Sequence, residues 1–153
     1  MQLLSMNMIE SVTPTDFPAL AALWESSVRA THTFLGEEDI HFFRPRILND
    51  YLPALNVWVI RANEREIKGF IGLSDDTIEM LFVAPHWSGS GVGSELVTFV
   101  LTHFPITKVD VNEQNERARK FYEKMGFIAK QRSEQDSYGK PFPIIHMEQQ
   151  TFS

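Results

Sequence analysis

The chain has no cysteine among its 153 residues. That excludes disulfides, thiolate metal sites, Cys-x-x-Cys redox chemistry and a cysteine nucleophile. Long apolar runs are missing too. The strongest, Met80-Leu81-Phe82-Val83-Ala84, falls far short of the ~20 residues that span a bilayer. Met1 to Met8 holds no basic segment and only the Leu3-Leu4 pair of strongly apolar residues, so it does not read as a signal peptide and a cytoplasmic location is expected. No Gly/Ser-rich or Pro-rich linker and no repeat divides the sequence; residues 1–153 are expected to form a single domain. Basic charge is scarce. Fourteen Lys and Arg against twenty Asp and Glu leave a net charge of −6 and a pI of about 5.3. The basic residues are dispersed, and the one local group, Arg117, Arg119, Lys120 and Lys124, reads as the wet side of a helix. Neither a nucleic-acid nor a membrane partner is expected.

What is present suits a packed core: 43% of residues are apolar, with twelve Phe and three Trp. Met8 to Thr13 reads as a strand, followed by a turn with Thr15 or Asp16 as N-cap to a helix over 16–31. Phe17, Leu20, Leu23, Trp24 and Val28 recur there at helical spacing. A second helix is expected from Glu37 to about Leu52, with Pro45 inside it. From Val57 the period changes to that of strands, over 57–60, 67–73 and 77–83, joined tightly enough to be antiparallel. A helix over 94–104, a strand over 108–111, a helix over 115–125 ending at Gly126, and strands over 127–132 and 144–148 complete a mixed α/β sheet.

Gly89, Gly91 and Gly93 alternate where a strand passes into a helix. Glycine there lets the backbone approach a ligand, and the helix N-terminus offers unpaired N–H groups and a positive dipole end, which suits pyrophosphate. No Lys follows to make a P-loop. Leu96 fills the third position of a dinucleotide fingerprint, and Ser88 and Ser90 do not form a Gly-x-Ser-x-Gly elbow. Downstream, Asn115 and Tyr122 stand seven residues apart on one face of a helix, with the small Ala118 between them.

Together these motifs resemble the GNAT superfamily of N-acetyltransferases. The family's Arg/Gln-x-x-Gly-x-Gly/Ala signature falls on Ser88-x-x-Gly91-x-Gly93, and its Asn-x-x-Ala-x-x-x-Tyr helix with a closing Gly-Phe falls on Asn115, Ala118, Tyr122, Gly126 and Phe127. Ser88 departs from the family's Arg or Gln. Ala30-Thr31-His32-x-Phe34-Leu35 and Gly139-Lys140-Pro141-Phe142-Pro143 look like a branch of small single-domain bacterial members. The resemblance implies an α/β fold with a mixed, mostly antiparallel, twisted sheet of about seven strands and about four helices.

It also implies transfer of the acetyl group of acetyl-CoA directly to a primary amine on a small molecule, a peptide N-terminus or a protein lysine. Ser88, Gly89, Ser90, Gly91, Val92, Gly93 and Ser94 are then expected at the pyrophosphate, Leu81 and Val83 along the pantetheine arm, and Asn115 beside the cofactor. Tyr122 is the expected hydrogen-bond donor to the departing thiolate. Glu79 is the expected base, on the strand face opposite to Ile78, Met80 and Phe82, with Glu113 and an ordered water chain as alternatives. His32 and Phe34 are expected to line the acceptor pocket. His41, His86, His103 and His146 lack metal-ligand spacing, so no metal is expected. A monomer or homodimer fits equally. Two other readings stay open: a sensor that binds CoA or acetyl-CoA without turnover, and a nucleotide-binding protein using the glycine turn.

Overall fold

Alternation along the strands decides which helices lie on each side of the sheet. A computed structural model describes residues 9–150; the readings of Met1–Met8, including the first residue of the first strand, lie outside them. Seven strands run β1 (Ile9–Ser11), β2 (Asn56–Arg61), β3 (Ile67–Ser74), β4 (Thr77–Val83), β5 (Lys108–Asn112), β6 (Phe127–Ser133) and β7 (Ile144–Gln149). They are ordered β1-β2-β3-β4-β5-β7-β6. Every neighbouring pair is antiparallel except β4 and β5. Val57, Val59 and Phe70 pack on one face against α1 (Phe17–Thr31) and α2 (Glu37–Arg46). Ile60, Ile71 and Leu73 pack on the other against α3 (Val92–His103) and α4 (Glu116–Lys124). The mixed sheet with four principal helices is the expected architecture.

Local chemistry moves several boundaries. A 3-10 turn over Pro14–Asp16 precedes α1, and the Asp16 carboxylate accepts the N–H of Thr13 behind it at 3.0 Å instead of capping amides ahead. Pro45 does not end α2. It lacks an N–H and crowds the preceding turn, and the chain widens into a π turn over Ile47–Tyr51 before a last turn at Leu52–Ala54. Helix α3 begins at Val92, two residues earlier than its apolar period implies. Gly69 on β3 makes this possible: a Cβ there would stand 2.9 Å from a Val92 methyl carbon and 3.0 Å from the Phe82 carbonyl.

Two irregularities in β4 shape the site. Leu73 pairs with Ile78 but Gly72 pairs with Met80, so Glu79 is the extra residue of a β-bulge. The bulge breaks strict alternation. Ile78, Leu81 and Val83 face α3 and α4, whereas Met80 and Phe82 face α1 and α2. The second irregularity is a splay: β4 and β5 pair only at Thr77–Lys108 and Ile78–Val109. Beyond Ile78 the two strands diverge, leaving the β5 side of β4 without a partner strand.

Candidate active site

The splay opens a cleft of about 740 Å³ between β4 and the N-termini of α3 and α4. Gly91, the N-cap of α3, holds φ 90° and ψ 3°, a left-handed conformation that L side chains rarely adopt. The first intrahelical bond runs from Glu95 N–H to the Gly91 carbonyl, 3.0 Å, and no side chain caps the helix. The amides of Val92, Gly93 and Ser94, residues that line the cleft, therefore have no intrahelical acceptors. Leu81, Val83, Ser88, Gly89, Gly91, Val92, Gly93, Ser94 and Asn115 all line this space. Ser90 does not; its hydroxyl turns back to the Trp87 carbonyl.

Asn115 caps α4. Its Oδ1 accepts the Ala118 N–H at 3.1 Å, and its Nδ2 lies 3.4 Å from Nε2 of His32 at the end of α1. Two turns on, Tyr122 reaches the same cleft although only 5% of its surface is exposed. Burial raises its phenol above the ordinary range, so the hydroxyl keeps its proton. Among the described residues nothing hydrogen-bonds that hydroxyl.

Glu79 lies elsewhere. The bulge turns it to the α1–α2 side with Met80 and Phe82, correcting the expectation that it faces away from them. The three line a second cavity of about 660 Å³ on that side, with Trp24, Tyr51, Asp110 and Asp136. Glu79 is exposed and its carboxylate accepts the Ser74 hydroxyl. Glu113, the alternative base, is held by Arg132 through two hydrogen bonds of 2.6 and 3.0 Å. That guanidinium keeps its carboxyl below the usual range, and Glu113 lines neither cavity. His32 lines a smaller recess of about 170 Å³ that shares Trp24, Tyr51 and Phe82 with the second cavity. Its burial brings the imidazole down to about 4. Phe34 lines none of the three; its ring packs between His32 and Phe142, at centroid distances of 5.3 and 5.7 Å.

Comparison with known proteins bears on this geometry. The sequence profile described as "Acetyltransferase (GNAT) domain" matches residues 29–150. The chain belongs to the GNAT acetyltransferase family. It is 41% identical over 132 residues to the peptidyl-lysine N-acetyltransferase YjaB of Escherichia coli, covering 84% of this chain and 86% of that one. The solution structure of apo-form YjaB from E. coli superposes with a TM-score of 0.84 at 38% identity, covering 94% and 97% of the two chains. A PaiA N-acetyltransferase from Thermoplasma acidophilum, solved with coenzyme A, shares the fold at TM-score 0.73 and 18% identity, covering 95% and 99%.

GNAT enzymes take their acetyl group from acetyl-CoA, and the cleft suits that anionic, extended donor. Among the described residues no carboxylate lines it, and its one charged lining side chain is Arg117. The unpartnered edge of β4 can pair with an extended amide chain as an added strand would. Arg117, Trp87 and Phe121 were not among the expected GNAT cofactor residues. Helical spacing from Ala118 points to Phe121, but Arg117 reads from the sequence as solvated surface. No short motif marks Ser27, Ala30 and Thr31, which line the cleft from the end of α1. Among the described residues no three His, Asp or Glu side chains are placed to hold a metal ion, and no helix is long and apolar enough to cross a membrane.

Proposed function

We propose that the protein transfers the acetyl group of acetyl-CoA to the side-chain amine of a peptidyl lysine. The observation that carries the reading is charge segregation across β4. Among the described residues the cleft at the α3 N-terminus has Arg117 and free amides and no acid. The opposite cavity has Glu79, Asp110 and Asp136 and, among the described residues, no Lys or Arg. An anionic donor fits the first and a cationic acceptor the second. Trp24, Tyr51 and Phe82 offer apolar wall to a lysine's methylene stem, and the naming of YjaB as a peptidyl-lysine enzyme agrees with that acceptor.

A lysine ammonium with pKa ~10.4 must lose a proton before its nitrogen can attack. Glu79 lines the cavity where it can pair with that ammonium. The backbone of Leu81 and Val83 aligns the pantetheine arm, and the α3 amides hold the pyrophosphate. Ser88 brings only a hydroxyl where the family has Arg or Gln. Tyr122, kept protonated by burial, donates its hydrogen bond to the departing thiolate. A neutral phenol that cannot readily ionise acts there as a donor and not as a proton source.

Thermal unfolding tests the donor site. Acetyl-CoA at ~100 times its dissociation constant adds about 2.7 kcal/mol, a rise of about 5–11 °C for a chain of this length, whereas NAD and ATP are expected to give none. Thiol release with lysine-containing peptides then tests the acceptor. Binding without turnover on any amine would leave a sensor and refute the enzyme; no rise with acetyl-CoA would refute both.

A further inference from the structure

The acidic cavity holds a connected set of side chains with no part in the steps above. Asp110 on β5, His146 on β7 and Ser133 on β6 come from three neighbouring strands, and all line the cavity with Glu79. Asp110 Oδ1 lies 2.7 Å from His146 Nδ1, and His146 Nε2 lies 2.7 Å from Ser133 Oγ. An ionised carboxylate can only accept. Nδ1 therefore carries the proton, Nε2 presents its lone pair, and the Ser133 hydroxyl donates to it. The serine oxygen keeps its own lone pairs for whatever enters the cavity.

We propose that Ser133, His146 and Asp110 are the relay that takes the proton from the acceptor amine. The proposal rests on the reading of this cavity as the amine site. The ammonium's N–H bond breaks as its proton passes to Ser133 Oγ, while the serine's own proton passes to His146 Nε2. The nitrogen lone pair is freed, the serine is restored, and the imidazolium lies against the Asp110 carboxylate. His146 retains 34% of its side-chain exposure, enough to return the proton to water.

The surroundings of that ring are acidic. Glu79 and Asp136 share the cavity, and Glu148 lies two residues along β7. Lys108, opposite Glu148, is drawn away to Asp76 at 3.6 Å. Glu79 then serves as the anchor for the ammonium, consistent with its carboxylate being engaged by Ser74. Asp110 is a positioning residue: it acts by fixing the ring. The same three residue types serve as nucleophile, base and orienter in hydrolases. Here Ser133 sits within a strand pair opposite Ile144, and the α3 amides that could steady an oxyanion belong to the cleft on the other face.

Ring-nitrogen NMR on the intact protein tests the relay without any acceptor. Neutral His146 is expected as the Nδ1–H tautomer, shifting to Nε2–H in Asp110→Asn; an Nε2–H tautomer in the wild type overturns the relay alone. In turnover on a lysine peptide, His146→Gln is expected to lower kcat about a hundredfold or more at pH 7, with stabilisation by acetyl-CoA unchanged. The loss should shrink as pH approaches the free lysine's ~10.4, where water supplies free amine. A wild-type rate and pH profile in His146→Gln, or an acetyl group accumulating on Ser133, overturns the proposal. A wild-type protein with the expected tautomer that binds acetyl-CoA but acetylates no amine refutes the acceptor reading, and the relay with it.

Discussion

His32 gives a prediction whose size follows from burial. The ring is 9% exposed, and desolvation lowers its pKa from 6.5 to about 4. Its contacts are consistent with a neutral ring. Nδ1–H can donate to the Thr31 hydroxyl at 2.8 Å, which itself donates to the Ser27 carbonyl at 2.8 Å. Nε2 is then left to accept from Asn115 Nδ2. A proton on Nε2 would set donor against donor. In the unfolded chain the imidazole binds a proton below ~6.5, whereas in the fold it stays neutral down to about 4. Stability is therefore complete above ~6.5 and lost as pH falls towards 4. At ~1.4 kcal/mol per pH unit the whole window is worth about 3 kcal/mol, with about 2 kcal/mol gone by pH 5. For a chain this long that is about 4–8 °C in Tm. Other groups titrate in the same range, so the measurement is the difference in Tm between wild type and His32→Gln from pH 7.5 to 4.5. The wild type should lose ground to the variant as pH falls. Parallel curves would show that His32 is protonated in the fold and that the burial argument fails.

Tyr122→Phe should lower turnover about tenfold or more while leaving stabilisation by acetyl-CoA intact, because it removes one donor to the thiolate; unchanged turnover would end that role. Gly91→Val should abolish the acetyl-CoA-dependent rise in Tm. The added Cβ has open space around it, so its effect is to force a β-branched residue into φ 90°, at about 1–2 kcal/mol of strain, and thereby displace the α3 amides. Ser88→Arg restores the residue type usual in GNAT relatives at the cleft rim. It should tighten acetyl-CoA binding about tenfold, the value of a charge-assisted hydrogen bond, and an unchanged Kd would show that the rim does not reach the pyrophosphate.

Legibility in the sequence tracks how local each cause is. Helical spacing alone placed Asn115, Ala118 and Tyr122 on one face, and all three line the cleft. Glycine alternation located the turn that leads into α3, because the positive φ of Gly89 and Gly91 is a property of single residues, although the helix starts two residues before the expected 94. Non-local causes were hidden. The position of Val92 against the sheet depends on Gly69, twenty-three residues earlier, and Phe34 lies against Phe142, more than a hundred residues later. Arg117 looks like solvated surface until β4 and the end of α1 close the other side of its cleft. His146 reads from the sequence only as a candidate metal ligand, since a strand pattern does not announce that Asp110 and Ser133 will flank it.

Glu79 shows what the hidden register means for chemistry. Strict alternation would place it with Leu81 and Val83, facing the cleft at the α3 N-terminus. A carboxylate there would oppose the pyrophosphate that the free amides and Arg117 attract. The bulge carries it through the sheet to the side of Met80 and Phe82, where a carboxylate attracts an ammonium instead. One inserted residue thus keeps the proposed donor cleft free of acid among the described residues and gives the proposed acceptor cavity its third carboxylate. The net charge of −6 averages over both sides and describes neither. On the proposed reading β4 separates an anion site from a cation site, and the gap beside it, beyond Ile78 and Val109, is where thioester and amine would meet.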